Sequence, residues 1–215
     1  MSDYTLYNYF RSSTSTRVRV ALNLKGIDYR YVPVNLKDGA QHGDYRAVNP
    51  EGLVPWLDLG DGHGLSQSLA ILEYLDEVEP ARPLLPADAL GRARARSLAL
   101  IVACEIHPVN NLRVLLDLKQ RFAADSAAVR DWIHHWVHAA FVPLERRLAG
   151  EPETGRFCHG DTPTLADICL FAQMFNNRRF EVPMDDYPTV RRIFDACMQV
   201  EAFRSAAPDA QTDSE

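Results

Sequence analysis

Hydrophobic and polar positions change rhythm quickly over residues 4–79, and the short runs predict strands. The aromatic-rich stretch Thr5–Tyr9 predicts a first strand. Tyr29–Val34 predicts a second strand. This strand should lie at the edge of a sheet, because Pro33 has no N–H to donate to a neighbouring strand. Leu53–Leu59 predicts a third strand, and a glycine-containing turn leads to a short fourth strand around Leu65.

Two helices are predicted among these strands. Arg17–Lys25 is apolar on most sides and is followed by Gly26, which favours a buried helix with a left-handed end. Ser68 is the expected N-cap of the second helix. The apolar stripe of this second helix consists of Leu69, Leu72 and Leu75.

The resulting order is β-α-β, an irregular stretch, then β-β-α. A right-handed crossover makes the first two strands parallel, and the tight turn makes the last two antiparallel. This is the layout of a thioredoxin-like domain. The sequence therefore predicts an α+β N-terminal domain over residues 1–80.

After a connector rich in proline (79–88), the chain has a helical pattern only. Ala89–Leu118 predicts one long helix that Pro108 kinks, and Ala127–Leu148 predicts another. Thr164–Asp167 has the spacing of a capping box, and Tyr187-Pro188 opens a last pair of helices. We expect an all-α domain over 89–206 and a disordered tail over 207–215.

Composition excludes several classes of protein. The 215 residues carry a net charge of −6, which disfavours a general nucleic-acid binder. No apolar run is long enough to span a membrane and no secretory signal is visible, so we expect a cytoplasmic protein with no membrane partner. The cysteines are scattered and favour small buried thiols over disulfides, and neither they nor the histidines have a spacing that predicts a metal site.

The segment between the first strand and the first helix carries the candidate chemistry. Ser12-Ser13-Thr14-Ser15-Thr16 places successive hydroxyls before a helix N-terminus, although capping needs only one of them. A helix N-terminus stabilises an anion, and a thiolate is one. Because this segment contains no cysteine, a bound sulfur would have to come from a ligand. A purely structural capping role explains the pattern equally well.

Two later dipeptides complete this candidate site. Val54-Pro55 is trans by the usual preference of X–Pro bonds, but would be cis in a thioredoxin-like domain. There Val54 would offer its backbone to a peptide ligand as a short added strand. Gln67-Ser68 opens a helix whose amides and hydroxyl are able to hold a carboxylate, and a plain cap is again the alternative for Ser68.

Together these segments resemble the zeta class of glutathione transferases. Tyr9–Arg19 is similar to the signature S-S-C-S-x-R-V-R of that class. The resemblance then continues in order through almost the whole chain. It runs through Leu24–Tyr29, Asn49-Pro50, Val54-Pro55, Gln67–Ile71, Gly160–Asp167, Arg179-Phe180 and Tyr187-Pro188. It implies a glutathione transferase fold, glutathione as cofactor and a homodimer.

The resemblance also implies roles for individual residues. Ser12 corresponds to the catalytic serine that donates to the glutathione sulfur, with Ser13 and Thr14 beside it, although the class commonly has Cys at the Thr14 position. Arg11 and Arg179 would bind the carboxylates of a small dicarboxylate substrate. The remaining implied glutathione contacts are His42, Val54, Pro55, Gln67, Ser68, His107, Asn111 and Arg113. For His42, an exposed loop histidine without this role is the alternative.

Members of this class are typically maleylacetoacetate isomerases, with maleylpyruvate isomerases as close relatives. The implied reaction is addition of the thiolate to the cis double bond, rotation, and loss of the sulfur to give the trans isomer. Some maleylpyruvate isomerases have an arginine where this chain has Leu112, which favours maleylacetoacetate. The alternatives are maleylpyruvate, conjugation of electrophiles such as haloacids, and a stress protein without turnover.

Overall fold

The computed structural model describes residues 3–214, and the chain divides into two compact units. Met1–Leu84 together with Met198–Glu215 form the first unit, and Leu85–Cys197 form the second. The division after Leu84 lies within the connector expected over 79–88. The α-helices of the described residues are α1 (Ser13–Lys25), α2 (Tyr45–Val48), α3 (Ser68–Val78), α4 (Ala89–Leu100), α5 (Leu112–Phe122), α6 (Ser126–Gly150), α7 (Leu165–Arg179), α8 (Pro188–Met198) and α9 (Glu201–Arg204).

The first unit contains a four-stranded sheet in the order β2-β1-β3-β4. The strands are β1 (Thr5–Asn8), β2 (Arg30–Pro33), β3 (Trp56–Asp58) and β4 (Gly64–Leu65). β1 pairs in parallel with β2 and antiparallel with β3, and β3 pairs antiparallel with β4. Pro33 lies on the edge strand β2. The predicted order of strands and helices along the chain and the predicted strand directions are confirmed.

Helix α1 is buried on most of its surface and packs against α3. It begins four residues before the predicted Arg17, because Ser12 acts as N-cap and its hydroxyl accepts from the Ser15 N–H. Gly26 ends it in the left-handed conformation, with φ of 66°, as predicted. The apolar side chains around this helix pair and the sheet are fully buried; they include Leu6, Leu22, Leu57, Ile71 and Leu75.

Residues 85–197, all of which the structure describes, form helices and turns and contain no strand, which confirms the all-α second region. The capping box of α7 is present, with Thr164 and Asp167 each bonding to the other's backbone. The single kinked helix expected over Ala89–Leu118 is wrong. After α4 the chain forms a π-helical segment, Ile101–Ile106, then turns. Asn111 caps a separate helix, α5. Pro108, which has no N–H to donate and whose ring crowds the preceding turn, lies at the break between the two helices.

The C-terminal residues also differ from expectation. We expected a helical domain up to Ala206 and disorder from Ala207, but both alanines are buried and belong to the first unit. Pro208–Ala210 form a 3₁₀ turn. Gln211 Nε2 donates to two carbonyls at 2.8 Å, and the Tyr31 hydroxyl donates to Asp213. The polar composition of the tail concealed these contacts, which join residues far apart in sequence.

The cysteines are free: Cys158, Cys169 and Cys197 are buried as expected, whereas Cys104 is exposed. Burial raises the pKa of the Cys158 and Cys197 thiols. Within residues 3–214, no helix is long and apolar enough to cross a membrane. The same residues contain no group of three His, Cys, Asp or Glu side chains that could hold a metal ion.

Candidate active site

The hydroxyls at the start of α1 form a chain of hydrogen bonds that ends at Val54, in the loop before β3. Ser12 Oγ accepts from the Ser15 N–H at 3.2 Å and lies 2.8 Å from Thr14 Oγ1. Thr14 Oγ1 donates to the Val54 carbonyl at 3.0 Å. Since Thr14 has one hydroxyl proton and gives it to Val54, Ser12 is the donor in the Ser12–Thr14 pair. The structure thus brings together three residues that the sequence assigned to one site.

A buried arginine fixes the backbone that leads into these hydroxyls. Arg19 is fully buried, and its Nη2 donates to the Phe10 carbonyl at 2.9 Å and to Thr16 Oγ1 at 2.8 Å. Its Nη1 donates to Asn8 Oδ1 at 2.8 Å. Burial lowers the pKa of Arg19, and this effect outweighs the nearby tyrosines and aspartate, which raise the pKa. No local sequence pattern assigns Arg19 a role, although the R-V-R part of the signature contains it.

The backbone before Pro55 is held by two buried side chains that the sequence analysis also missed. The Leu53 carbonyl accepts from the Tyr45 hydroxyl at 2.7 Å and from Asn49 Nδ2 at 2.8 Å. Burial raises the pKa of Tyr45 to about 12, so its hydroxyl stays protonated and donates at neutral pH. The Val54–Pro55 bond is cis, as the thioredoxin-like reading required. Val54 is half-buried at this point.

The start of α3 differs from the prediction that Ser68 caps it. Gln67 occupies the N-cap position, in the left-handed region at φ of 66°, and its side chain makes no capping bond. Its Nε2 instead donates to Glu51 Oε2 at 3.3 Å. Ser68 is the first helical residue, and its Oγ accepts from Arg17 Nη1 at 3.3 Å. The Ser68 hydroxyl oxygen therefore accepts a hydrogen bond from a cation, Arg17, and not from an amide of its own helix.

Both helix N-termini are electrostatically suited to anions. Neither α1 nor α3 has an acidic residue in its first turn, so the positive ends of their dipoles are not neutralised by their own side chains. Thr14 and Arg17 lie three residues apart on α1 and therefore on one face of it. One face of α1 thus contacts Val54 through Thr14 and Ser68 through Arg17. This arrangement can hold a ligand that carries a thiolate and a carboxylate.

The other predicted site residues occupy varied positions. In the first unit, the Arg11 guanidinium lies over the Phe10 ring at 4.8 Å, Ser13 is buried, and His42 is exposed at the end of a 3₁₀ turn. In the second unit, the Arg179 guanidinium lies over the Phe180 ring at 5.0 Å and is exposed. The remaining three follow the π-helical segment: His107 is half-buried, Asn111 caps α5, and Arg113 is exposed.

Comparison with known proteins agrees with this geometry. The family profile described as "Glutathione S-transferase, N-terminal domain" matches residues 11–78. The chain is 50% identical over 210 residues to a maleylpyruvate isomerase of Ralstonia sp., covering 97% of this chain and 99% of that protein. It is 44% identical over 212 residues to a maleylacetoacetate isomerase of Pseudomonas aeruginosa, covering 97% and 98%.

Solved structures extend the match to the complete fold. A maleylpyruvate isomerase described as a bacterial zeta-class glutathione S-transferase superposes with a TM-score of 0.96 at 50% identity, covering 98% of this chain and all of the other. A maleylacetoacetate isomerase of Methylobacterium extorquens AM1, solved with malonate and glutathione, gives 0.95 at 41% identity, covering 98% and 99%. The identities and their coverage show that the chain belongs to the glutathione transferase family, in its zeta class.

Proposed function

We propose that this chain is a glutathione-dependent cis–trans isomerase of a maleyl keto acid, a small dicarboxylate with an activated cis double bond. The observation that carries the proposal is the Ser12 hydroxyl at the N-terminus of α1, bonded to Thr14 and through it to Val54. The two relatives named above are isomerases of such acids. When bound, glutathione supplies the thiolate that adds to the double bond and leaves unchanged.

Ser12 is suited to stabilise that thiolate. Its oxygen already accepts from the Ser15 N–H, which fixes its position, while its proton can be reoriented about the Cβ–Oγ bond. In the structure this proton goes to Thr14, and rotation redirects it to a sulfur. The N-terminus of α1 adds a favourable potential for the negative charge. Together these effects hold the sulfur ionised near neutral pH.

Thr14 occupies the position where the class commonly has cysteine. Its hydroxyl donates to the Val54 carbonyl, so it ties the serine segment to the loop before Pro55. This role needs a good donor, and a thiol is a weaker one than a hydroxyl. Thr14 therefore acts as a positioning residue, and no second thiol is available for side chemistry in this segment.

The carboxylates of the substrate require cations. We assign this role to Arg11 and Arg179, which would also stabilise charge that develops on the keto oxygen. Each guanidinium lies over a neighbouring aromatic ring, and the planar fork of a guanidinium suits bidentate binding of a carboxylate. The glutathione contacts that we propose in addition are Ser13, His42, Val54, Pro55, Gln67, Ser68, His107, Asn111 and Arg113.

Two substrates fit this chemistry. Leu112, exposed at the start of α5 where some maleylpyruvate isomerases have arginine, supports maleylacetoacetate. The higher identity to the Ralstonia enzyme supports maleylpyruvate. We further propose a cytoplasmic homodimer. The free thiols are consistent with a reducing compartment, and exposed apolar side chains such as Leu90 (84%) and Phe122 (73%) favour an interface.

The test is isomerisation of both acids with and without glutathione, in the wild type and in Ser12→Ala and Arg179→Ala. Loss of one oxyanion-type donor lowers turnover by about 10²–10³-fold, and we expect this for Ser12→Ala. Arg179→Ala should raise KM for the diacid, whereas Arg146→Ala, an exposed arginine of α6, should leave it unchanged. Glutathione should not be consumed.

Two results would contradict the proposal. Conjugation of a haloacid with no isomerisation would make the chain a conjugating transferase, and the role of Arg179 would be wrong. Absence of turnover together with no retention on immobilised glutathione would favour a stress protein without catalytic activity. Gel filtration of the wild type and of Leu90→Asp tests the homodimer.

A further inference from the structure

Arg17 is a buried cation that the protein itself does not neutralise. It lies on α1 and is 1% exposed. Its Nη1 donates to Ser68 Oγ at 3.3 Å, whereas its buried Nε and Nη2 have no hydrogen-bond partner among the described residues. No described carboxylate lies within ion-pair distance of it. A guanidinium carries a positive charge and five N–H donors.

The comparison with Arg19, two residues further along α1, shows how unusual this is. Arg19 is equally buried, yet all three of its guanidinium nitrogens donate hydrogen bonds. A buried charge without partners is strongly unfavourable. A residue that retains two unpaired, buried donors in the free protein therefore points to a negative group nearby whose charge offsets that of Arg17 in the bound state.

The surroundings of Arg17 show where that group would lie. Ser68 is the first residue of α3, an 11-residue helix whose N-cap, Gln67, makes no side-chain capping bond. The first turn of α3 contains no acidic residue. The first amides of a helix have no partner within that helix. These amides, the dipole of α3 and the Arg17 charge thus all favour an anion at one place.

The direction of the bond between Arg17 and Ser68 matters. Arg17 donates to the Ser68 oxygen, so the single Ser68 proton is free to be donated elsewhere. The positive charge beside the oxygen also makes this hydroxyl a stronger donor. Ser68 is therefore set as a donor toward an anion at the start of α3.

We propose that Arg17 is a positioning residue for the carboxylate that glutathione places at the N-terminus of α3. In the proposed function Gln67 and Ser68 hold the γ-glutamyl end of glutathione, so this carboxylate is the α-carboxylate of the γ-glutamyl residue. Arg17 acts through Ser68. It orients the Ser68 hydroxyl, and its buried positive charge balances the negative charge of the bound carboxylate. The inference rests on the proposed function, in that it takes glutathione as the ligand.

The experiment uses calorimetric titration of the full chain with four thiol ligands. These are glutathione, 4-aminobutyryl-Cys-Gly (without the α-carboxylate), glutaryl-Cys-Gly (without the amine) and γ-Glu-Cys (without the glycyl carboxylate). In Arg17→Met we expect affinity for the three ligands that retain the α-carboxylate to fall at least tenfold. Affinity for 4-aminobutyryl-Cys-Gly should change less than twofold. Arg17→Lys, which keeps the charge, should restore part of the loss.

Thermal unfolding gives an independent readout. Without ligand, Arg17→Met should have a Tm equal to or above that of the wild type, since it removes an unpaired buried charge. Saturating glutathione should then raise the Tm of the wild type more than that of the variant. Ser68→Ala is the second variant, with the same expected loss of discrimination between glutathione and 4-aminobutyryl-Cys-Gly. Failure of Arg17→Met to fold counts as a clear fall of its Tm.

Equal weakening of all four ligands in Arg17→Met, or a clear fall of its Tm without ligand, would show a merely structural role and overturn the inference. If Arg17→Met weakened the three ligands that carry the glycyl carboxylate but not γ-Glu-Cys, the glycyl end of glutathione would lie at α3. That result would also overturn the inference. A wild-type chain that binds none of the four ligands would contradict the proposed function itself. The two failures are therefore distinguishable.

Discussion

Replacing Arg19 by methionine should destabilise the first unit more than any ordinary surface substitution. Four hydrogen bonds of 3.1 Å or shorter would be lost from a fully buried side chain. At about 1 kcal/mol for each buried acceptor left without a donor, the loss is about 4 kcal/mol. This agrees with the about 3–5 kcal/mol measured when one partner of a buried charged network is removed. The acceptors left behind are Ala206 O, Asn8 Oδ1, Phe10 O and Thr16 Oγ1.

The assay is urea unfolding followed by circular dichroism and tryptophan fluorescence. With a urea m-value of about 3 kcal/mol/M for a chain of this length, the midpoint should fall by about 1.3 M. Arg30→Met is the matched control, because Arg30 is exposed and makes one long bond, from Nε to Thr5 Oγ1 at 3.2 Å. It should cost under about 1 kcal/mol. If the free energy of unfolding fell no more in Arg19→Met than in Arg30→Met, the buried acceptors would not depend on Arg19 for their stability.

Three further predictions concern single residues. Asp167→Ala should lower the free energy of unfolding by about 3 kcal/mol, because three donors within 2.9 Å lose their acceptor; urea unfolding measures this, with the exposed Asp195→Ala as a near-neutral control. Burial, followed by the charge of a nearby histidine, lowers the pKa of His138 below its ordinary value of 6.5. The unfolded chain then binds the proton more tightly, so the free energy of unfolding should fall as pH drops through 6.5; an unchanged slope in His138→Gln would speak against this. Gly26→Ala should cost about 1–2 kcal/mol for the left-handed backbone. Its new Cβ would also lie 2.5 Å from Arg82 Nη1, and a Tm equal to the wild type's would contradict the strain.

The serine segment shows how much of the candidate site local sequence can predict. Hydroxyls before an apolar helical run predict an N-cap, and Ser12 fills it. The partners of the same hydroxyls were outside the reach of such reasoning. The Thr14–Val54 bond spans 40 residues and the Arg17–Ser68 bond spans 51. Nothing in the local sequence around α1, Val54 or Ser68 indicates that Val54 and Ser68 both contact one face of α1.

The wrong predictions have the same origin. Ser68 has the composition of a cap, but Arg17 engages its oxygen and Gln67 takes the capping position. The C-terminal segment has the composition of a disordered tail. Its residues are instead held by distant contacts, among them the bond from Arg19 Nε to the Ala206 carbonyl 187 positions away. A contact across that distance leaves no periodic signal in the sequence.

Most of the helices, the strands and the strand directions follow from the sequence, because helix and strand periods, capping residues and proline and glycine positions act within a few residues. The family follows as well, since the motifs recur in order along nearly the whole chain. Tertiary packing settles which hydroxyl donates to which acceptor, why two nitrogens of Arg17 stay unpaired while Arg19 is saturated, and where the last residues pack. Those outcomes depend on burial, and burial is set by elements that meet in space after being far apart along the chain.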